Sequence, residues 1–324
     1  MMKRSPHVVV LMGGPSEEHA VSLKSGSGVV EALTDRQVIA DPVVIPQTLT
    51  VQEACAFARQ ALQRTAPDGV FLALHGTFGE DGTMQQVCED VQLPYTGSDV
   101  EASRLGMDKV ASRQRFVAAG LAVPQWQAVP SHQAEGLDVR GWRFPLMVKP
   151  SAQGSSIGVS RVAHPDDLPA ALREAGRYGP TILIEEFIQG RELTVGVLDG
   201  RPLPIVEIRP KHGFFDFAAK YTVGLTEYRV PAALKPHIAA RVQEAGRRAY
   251  EVIGCRHFSR TDLILNPGNV PVVLELNTIP GLTPTSLLPK AAACAGLSYG
   301  ELCEQLVQMA SRDAPVTHHQ ASVI

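Results

Sequence analysis

Three oxygen-bearing side chains near the end of the sequence could together bind a cation: Asp262, Glu275 and Asn277. They lie on two short apolar runs, Phe258–Leu265 and 273–277, separated by a Pro/Gly/Asn turn, and this spacing predicts a β-hairpin. Strand side chains alternate between faces, so Glu275 and Asn277 point the same way, and pairing could bring Asp262 beside them. Mg²⁺ prefers one or two carboxylates with water and nucleotide phosphates. The hairpin therefore predicts a magnesium–nucleotide site; the alternative is that each carboxylate simply faces water.

A glycine- and serine-rich segment at 151–158 reads S-A-Q-G-S-S-I-G and lies between predicted strands at 144–148 and 159–162. Exposed backbone N–H groups and small hydroxyls can surround phosphate oxygens where larger side chains would obstruct. Lys149 precedes the segment and Lys109 lies upstream, and two ammonium groups suit a triphosphate. The segment is not a Walker A loop, because the lysine precedes the glycines and no helix follows. It is either a phosphate-binding hairpin or an ordinary flexible turn.

Two further acids flank a glycine turn: Glu185 near the end of a strand at 181–187, and Glu192 at the start of a strand at 192–198. Their spacing is compatible with one acid accepting from an adenine amine and the other from ribose hydroxyls, although this spacing alone is not specific. A non-periodic stretch at 211–228 follows. A connection of this length in a compact domain is usually a lid or a disordered loop.

The start of the chain predicts a βα unit, with a strand at 7–12, a glycine turn and a helix at 20–33. A helix N-terminus favours anions. The dinucleotide-binding alternative is unfavoured, because the third glycine is missing and Pro15 lies in the turn. Glu18, directly before the helix, is either a solvated first-turn acid or a ligand for a substrate ammonium group.

A second buried strand is predicted at 69–75, with His75 at its end, and a short strand and turn at 93–97 close this first domain. Ligands of open α/β sheets bind beyond the carboxyl ends of strands, which is where His75 falls. A lone histidine is as readily structural. Further along, Asp108 predicts the N-cap of a helix at 109–119.

The remaining patterns predict a strand at 203–208, helices at 236–253 and 287–309, and a frayed tail from residue 311. The 324 residues are long enough for two or three domains, and the hydrophobic content of 44% is that of a globular protein. A net charge of -3 gives no electrostatic indication of nucleic acid or an anionic membrane as partner. The sequence has no membrane-length apolar run and no signal peptide, so we expect a cytoplasmic protein. Five scattered cysteines indicate neither a disulfide framework nor a zinc site.

Seven motifs in order show that the chain resembles the ATP-grasp carboxylate–amine ligases, and within them the D-alanine–D-alanine ligase family, over about residues 8–306. The motifs are GGPSEEHAVSL at 13–23, ALHGTFGEDGT at 73–83, PYTGS at 94–98, MDK at 107–109, VKPSAQGSSIG at 148–158, AKYT at 219–222 and LELNTIPGLTPTSLLP at 274–289. Any one could arise by chance, but the ordered set is specific. The sequence departs from the family at 256–259, where tryptophan and glycine are more usual before Arg260, and this bears on local packing.

The resemblance implies an α/β fold with a Rossmann-like N-terminal domain at 1–97. Two ATP-grasp lobes are then expected at 98–184 and 185–312, with ATP held between their antiparallel sheets, and a tail at 313–324. The family is commonly dimeric, so a homodimer is also implied.

The resemblance also implies the ligands of individual residues. ATP would be bound by Lys109, Lys149, Ser155, Ser156, Glu185, Glu186, Phe187, Ile188, Glu192 and Lys220. Two Mg²⁺ or Mn²⁺ ions would be held by Asp262, Glu275 and Asn277, and a monovalent cation such as K⁺ could assist. The two D-alanine molecules would be bound by Glu18, His75, Lys220, Ser286 and Leu287. The catalytic groups would be Glu18, Ser155, Tyr221, Arg260 and Gly281.

The implied reaction, in peptidoglycan precursor synthesis, has two steps. The first D-alanine carboxylate attacks the γ-phosphate of ATP to give an acyl phosphate and ADP, and the amine of the second D-alanine then attacks the acyl carbon. Arg260 and the N–H of Gly281 could stabilise the tetrahedral oxyanion, and the general base stays open. The alternatives are a D-serine or D-lactate second substrate, and an ATP-binding protein without chemistry. Lys220 and Tyr221 argue against the lactate type, and Arg260 with the three metal ligands argues against lost chemistry.

Overall fold

The computed structural model describes residues 5–134, 136–137, 139–211 and 224–313. The predicted lid pair Lys220 and Tyr221, most of the loop at 211–228 and nearly all of the predicted tail lie outside the described residues. None of the helices within the described ranges has the length and apolar character needed to cross a membrane.

The N-terminal region is a three-stranded parallel sheet with helices packed against it. Its strands, in the spatial order β2-β1-β3, are β1 (His7–Gly13), β2 (Ile39–Ile45) and β3 (Gly69–Leu72). Its helices are α1 (His19–Asp35), α2 (Val51–Thr65) and α3 (Thr83–Asp90). The predicted βα opening is confirmed. The apolar run of β1 is buried almost throughout, as expected of a central parallel strand.

Two predictions in this region were wrong. Strand β3 ends at Leu72 rather than at residue 75, and residues 93–97 form no strand, only a single bridge from Tyr95 to Val70. Ala73 and Leu74 are fully buried although they lie beyond the ladder. Burial therefore continues past the end of the strand, and an apolar sequence pattern cannot distinguish a buried strand residue from a buried loop residue.

Two antiparallel sheets follow, and they confirm the predicted two-sheet architecture. The first has the order β4-β7-β5-β6 and consists of β4 (Trp126–Pro130), β5 (Leu146–Pro150), β6 (Ser160–Val162) and β7 (Thr181–Glu186), with helix α6 (Leu168–Gly176) packed on it. The second has the order β11-β10-β8-β12-β13 and consists of β8 (Arg191–Leu198), β10 (Val206–Pro210), β11 (Thr226–Arg229), β12 (Phe258–Leu265) and β13 (Pro271–Asn277), with β9 (Arg201–Pro202) paired to β8.

Helices α4 (Val100–Met107), α5 (Lys109–Ala118) and α7 (Pro236–Ile253) pack on the second sheet. Phe116 of α5 shares a core with Val195 and Leu276 of that sheet. The predicted N-cap is confirmed, because Asp108 Oδ1 accepts from the backbone N of Val110 at 2.9 Å. Helix α5 is thus anchored to the second sheet. Its first residue, Lys109, reaches the glycine- and serine-rich hairpin (151–158) of the first sheet, where Nζ donates to the backbone oxygen of Gln153.

The predicted helix at 287–309 is wrong, because the structure has two helices there: α8 (Leu287–Cys294) and α9 (Tyr299–Arg312). Gly296 between them has a φ of +87°, which ends helical geometry. Ser298 and Glu301 then form a capping box that begins α9. Strand β10 also begins at residue 206 rather than 203, and Pro204 just before it has no N–H to contribute to a ladder.

The segment that departs from the family pattern is accommodated by side-chain contacts. His257 has a φ of +59°, a conformation that normally favours glycine. Its Nδ1 accepts from the backbone N of Gly97 at 3.0 Å, and its Nε2 lies 2.9 Å from Asp313 Oδ2. Phe258 is fully buried and begins β12 where the sequence predicts. The departure therefore leaves the strand that carries Arg260 in place.

Candidate active site

The acidic hairpin brings its predicted residues together. In the antiparallel pair of β12 and β13, Asp262 lies opposite Glu275, and Arg260 lies opposite Asn277. Asn277 Nδ2 donates to Asp262 Oδ2 at 3.2 Å. The predicted pairing is confirmed, and it follows from the two-residue alternation of both strands.

Each carboxylate of the hairpin is balanced by a cation. Arg260 donates to Asp262 through Nε at 2.9 Å and Nη2 at 2.7 Å, and Lys109 Nζ lies 3.2 Å from Glu275 Oε2. Burial lowers the pKa of Arg260, but the charges of Asp262 and Glu275 outweigh burial and raise it above its ordinary value. Asp262 and Glu275 are still 15% and 26% exposed, so they remain accessible to a ligand.

The donor set fits Mg²⁺ bound together with phosphates. Two carboxylates and one amide oxygen are hard ligands, and Mg²⁺ is usually held by one or two carboxylates plus substrate phosphates. In the described ranges, no group of three His, Cys, Asp or Glu side chains forms an all-protein metal cage. The two carboxylates and the amide oxygen of the hairpin suit an ion that also takes phosphate oxygens as ligands.

A small cavity of about 140 Å³ lies between the two antiparallel sheets. It is lined by most of the residues predicted to bind ATP and the metal: Lys109, Lys149, Ser156, Glu185, Glu186, Phe187, Ile188, Glu192, Asp262 and Glu275. Apolar side chains, among them Met147 and Leu274, cover the rest of the wall. A cavity wall with charged side chains in one region and apolar side chains in another suits a ligand that has both phosphates and a flat base.

A larger cavity of about 670 Å³ adjoins the first. It is lined by residues predicted to bind D-alanine or to act on it: Glu18, His75, Ser155, Arg260, Gly281, Ser286 and Leu287. Glu275 lines both cavities, while Ser155 faces the large one and its neighbour Ser156 the small one. The serine-rich hairpin and Glu275 therefore mark the boundary at which the two cavities meet.

Glu18 is a buried acid and not the solvated first-turn acid of the alternative interpretation. It is 8% exposed and accepts a hydrogen bond from Ser155 Oγ, 137 residues away. A Cβ atom at Gly76 or at Gly154 would come within 2.7 Å of Glu18 Oε2. The absence of side chains at these two glycines therefore allows the hairpin and the loop after β3 to close around the carboxylate.

His75 is 3% exposed and is held on both sides of its ring. Its Nδ1 lies 3.3 Å from the carbonyl oxygen of Ile279, which can only accept, so Nδ1 carries the proton and Nε2 accepts from Ser25 Oγ at 2.9 Å. Burial lowers the pKa of His75 and keeps it neutral, although the charge of Glu18 opposes this. His75 is thus fixed by its hydrogen bonds and also lines the large cavity.

Glu80 lines the large cavity and was missed from the sequence. Its Oε1 accepts from the backbone N of Gly76 at 2.8 Å and lies 3.8 Å from His75 Nδ1. Burial, with the charge of Glu18 next, raises the pKa of Glu80 to about 8. Its position in the glycine-rich segment 79–82, a few residues after His75, was the available signal.

Arg113 was also missed, and it reaches two residues that line the small cavity. Its Nη1 donates to Glu185 Oε2 and its Nη2 donates to the backbone oxygen of Leu274 at 3.0 Å. Lys149 Nζ lies 2.6 Å from the other oxygen of Glu185. Arg113 lies one helical turn after Lys109, so the two share a helix face, and this spacing was the available signal.

Comparisons with known proteins show which family models and relatives match this chain. The family model described as "D-ala D-ala ligase C-terminus" matches residues 115–308, and the one described as "D-ala D-ala ligase N-terminus" matches residues 48–98. A D-alanine–D-alanine ligase of Syntrophotalea carbinolica is 43% identical over 306 residues, covering 94% of this chain and 96% of the relative.

Solved structures are similar over nearly the whole chain. A D-alanine–D-alanine ligase from Bacillus anthracis complexed with ATP has a TM-score of 0.81 at 30% identity, covering 95% of this chain and 98% of that one. The VanG D-Ala:D-Ser ligase from Enterococcus faecalis has a TM-score of 0.80 at 29% identity, covering 95% of this chain and 100% of that one.

Proposed function

The chain belongs to the D-alanine–D-alanine ligase family, and we propose that its two adjoining cavities carry out the ATP-dependent joining of two D-alanine molecules. The observation that carries the proposal is the position of Glu275, which lines a cavity suited to a nucleotide and a second cavity suited to amino acids. Phosphoryl transfer needs the γ-phosphate and the acceptor carboxylate to meet at one place. The boundary marked by Glu275 and the serine-rich hairpin is that place.

In the small cavity, Lys109, Lys149 and Ser156 bind the phosphates, with Ser155 at the boundary to the large cavity. Glu186, Phe187, Ile188 and Glu192 bind the nucleoside, and Glu185 acts in the same wall as the partner of Lys149. Asp262, Glu275 and Asn277 would hold two Mg²⁺ or Mn²⁺ ions, whose charge would balance that of the transferring phosphoryl group. Support comes from the donor set of the hairpin and from the ATP-complexed Bacillus anthracis ligase.

In the large cavity, Glu18 binds the ammonium group of the first D-alanine, with His75 beside it. The carboxylate of this D-alanine attacks the γ-phosphate, forming D-alanyl phosphate and releasing ADP. Glu18 is suited to this role because two glycines and Ser155 hold its carboxylate in a fixed, water-poor position.

The second D-alanine is bound through its carboxylate by Ser286 and the N–H of Leu287 at the start of α8, where a helix N-terminus favours an anion. Its amine attacks the acyl carbon, and Arg260 and the N–H of Gly281 stabilise the oxyanion until the C–O bond breaks and phosphate leaves. Gly281 and Ser286 adjoin, since a Cβ at Gly281 would lie 3.1 Å from Ser286 Oγ. The amine proton leaves through the hydrogen-bonded pair Glu18 and Ser155. The family resemblance adds Tyr221 to this step, and Tyr221 lies outside the described residues.

A D-serine or D-lactate second substrate is not favoured, because the sequence relatives at about 40% identity over nearly the full chain are D-alanine–D-alanine ligases. We further propose that the protein works in the cytoplasm as a homodimer, and that a monovalent cation such as K⁺ assists it. These proposals rest on what is common among members of the family.

A coupled assay of ADP release tests the proposed function. With Mg²⁺ and ATP, D-alanine alone should support turnover and yield D-alanyl-D-alanine and phosphate in equal amounts. D-alanine with D-serine or D-lactate should add little mixed product. ADP release that does not depend on D-alanine, or a mixed product formed in preference, would refute the assignment.

A further inference from the structure

A fully buried arginine, Arg113, bridges the two sheets that enclose the small cavity. It lies on α5, which is anchored in the core of the second sheet. One guanidinium nitrogen reaches Glu185 on β7 of the first sheet, and another reaches the backbone oxygen of Leu274 on β13 of the second. Glu185 and Leu274 both line the cavity, so Arg113 lies directly behind its wall. The proposed reaction gives this residue no role.

The charges around the cavity show what Arg113 contributes. Lys149 is paired with Glu185, just as Lys109 is paired with Glu275, and each such pair sums to zero. Arg113 binds the second oxygen of Glu185, so the three groups together carry one net positive charge. Burial opposes ionisation of Glu185, but Lys149 and Arg113 outweigh burial and lower its pKa.

Stability alone gives a poor reason for this arrangement. Burying an arginine costs free energy even when it is paired, and apolar residues of similar volume often replace buried ion pairs without loss of stability. The side chain of Arg113 is 1% exposed and that of Glu185 is 4% exposed, so both charges have left water almost completely. The cost is understandable if the pairing of Arg113 with Glu185 serves the binding of a ligand.

We propose that Arg113 is a positioning residue for nucleotide binding: it balances the charge of Glu185, so that the ammonium group of Lys149 can attract the phosphates of ATP. The backbone oxygen of Leu274 holds the guanidinium group in place. This inference rests on the proposed function, because it requires that the small cavity binds ATP.

Calorimetric titration with the Mg²⁺ complex of a non-hydrolysable ATP analogue tests the inference. Arg113→Met should weaken binding by about 10- to 100-fold, the scale of one charge-assisted contact. Arg113→Lys should restore part of the loss, since it keeps the charge. Arg115→Met removes an exposed arginine of the same helix and should leave binding unchanged. The KM for D-alanine should not change in any of these variants.

A second substitution separates a charge effect from a structural one. In Arg113→Met, the ammonium group of Lys149 would be the only cation paired with Glu185 and would attract the phosphates less. Adding Glu185→Gln should therefore tighten nucleotide binding several-fold relative to the single variant. A merely structural role for Arg113 predicts that the double variant binds no better. If Arg113→Met does not fold, the double variant is compared with Glu185→Gln alone, from which it differs only at residue 113. Because Arg113 then has no carboxylate to balance, the two proteins should bind the analogue with affinities within about twofold of each other.

Three outcomes overturn the inference. Undiminished binding by Arg113→Met overturns it and leaves the proposed function intact, and so does a double variant that is no tighter than the single one. The inference is also overturned if the double variant binds the analogue more than tenfold more weakly than Glu185→Gln alone does. A wild-type protein that does not bind the analogue overturns both the inference and the proposed function of the cavity.

Discussion

Replacing Arg260 with lysine should separate the two half-reactions. Nε and Nη2 of Arg260 are both engaged by Asp262, and among the residues that the structure describes Nη1 has no hydrogen-bond partner. Arg260 also lines the large cavity, so Nη1 is the nitrogen available to an oxyanion. Lysine keeps the charge but has a single ammonium group in place of a rigid fork, so it cannot hold Asp262 and an oxyanion in the same geometry.

The expected loss is that of one oxyanion donor. Removing such a donor costs about 100-fold or more in rate, or about 2.7 kcal/mol of transition-state stabilisation. Dipeptide formation by Arg260→Lys should fall by that amount. Formation of the acyl phosphate should fall much less, because Lys109, Lys149 and the proposed metal ions would carry most of the charge in that step.

Two measurements separate the steps. Positional isotope exchange in ATP, at a D-alanine concentration that fills only the first site, reports reversible acyl-phosphate formation. Dipeptide formation at saturating D-alanine reports the complete reaction. Equal losses in both would show that Arg260 mainly binds the γ-phosphate, and the oxyanion role would then pass to Gly281 alone.

Three further substitutions test other parts of the site. Glu275→Gln removes the carboxylate shared by the two cavities with little change in volume, so turnover should be lost while the unfolding temperature stays within a few degrees; turnover near wild type at saturating Mg²⁺ would contradict its proposed role. Gly154→Ala places a Cβ 2.7 Å from Glu18 Oε2 and should raise the KM for D-alanine about tenfold, the scale of a charged hydrogen bond, with ATP binding unchanged; an unchanged KM would show that Glu18 is not a substrate ligand. Burial raises the pKa of Glu80 to about 8, so the folded state holds a proton that the unfolded state releases near pH 4.5. The free energy of unfolding should therefore fall as pH rises between those values, and Glu80→Gln should reduce this fall in urea titrations at pH 5.5 and 8. An equal fall in both proteins would place the titrating group elsewhere.

The acidic hairpin is the part of the site that the sequence could determine by itself. Alternation along a strand is local, and a short turn fixes how two neighbouring strands pair, so the meeting of Asp262, Glu275 and Asn277 follows from about twenty consecutive residues. The phosphate hairpin was visible for the same reason, because its glycines and serines are adjacent in the chain. Ordered motifs then identified the family and, with it, the two-sheet fold.

The exact ends of strands and helices could be determined only from the structure. The buried residues after β3 continue an apolar run that belongs to a loop, and α8 and α9 share one apolar period although Gly296 separates them. In both places a buried position looks the same in the sequence whether or not the backbone is part of a strand or a helix.

Contacts between distant segments were decided only by tertiary structure. Glu18 meets Ser155 across 137 residues, and Arg113 meets Glu185 across 72. No local pattern encodes these meetings, because they depend on how α1, α5 and the two sheets pack against one another. The same packing takes Glu80 out of water and raises its pKa, and it gives His257 the partners that hold its left-handed backbone. Residue types and spacing therefore determined which chemistry the chain can perform, whereas packing determined which groups share a cavity and what charge each carries there.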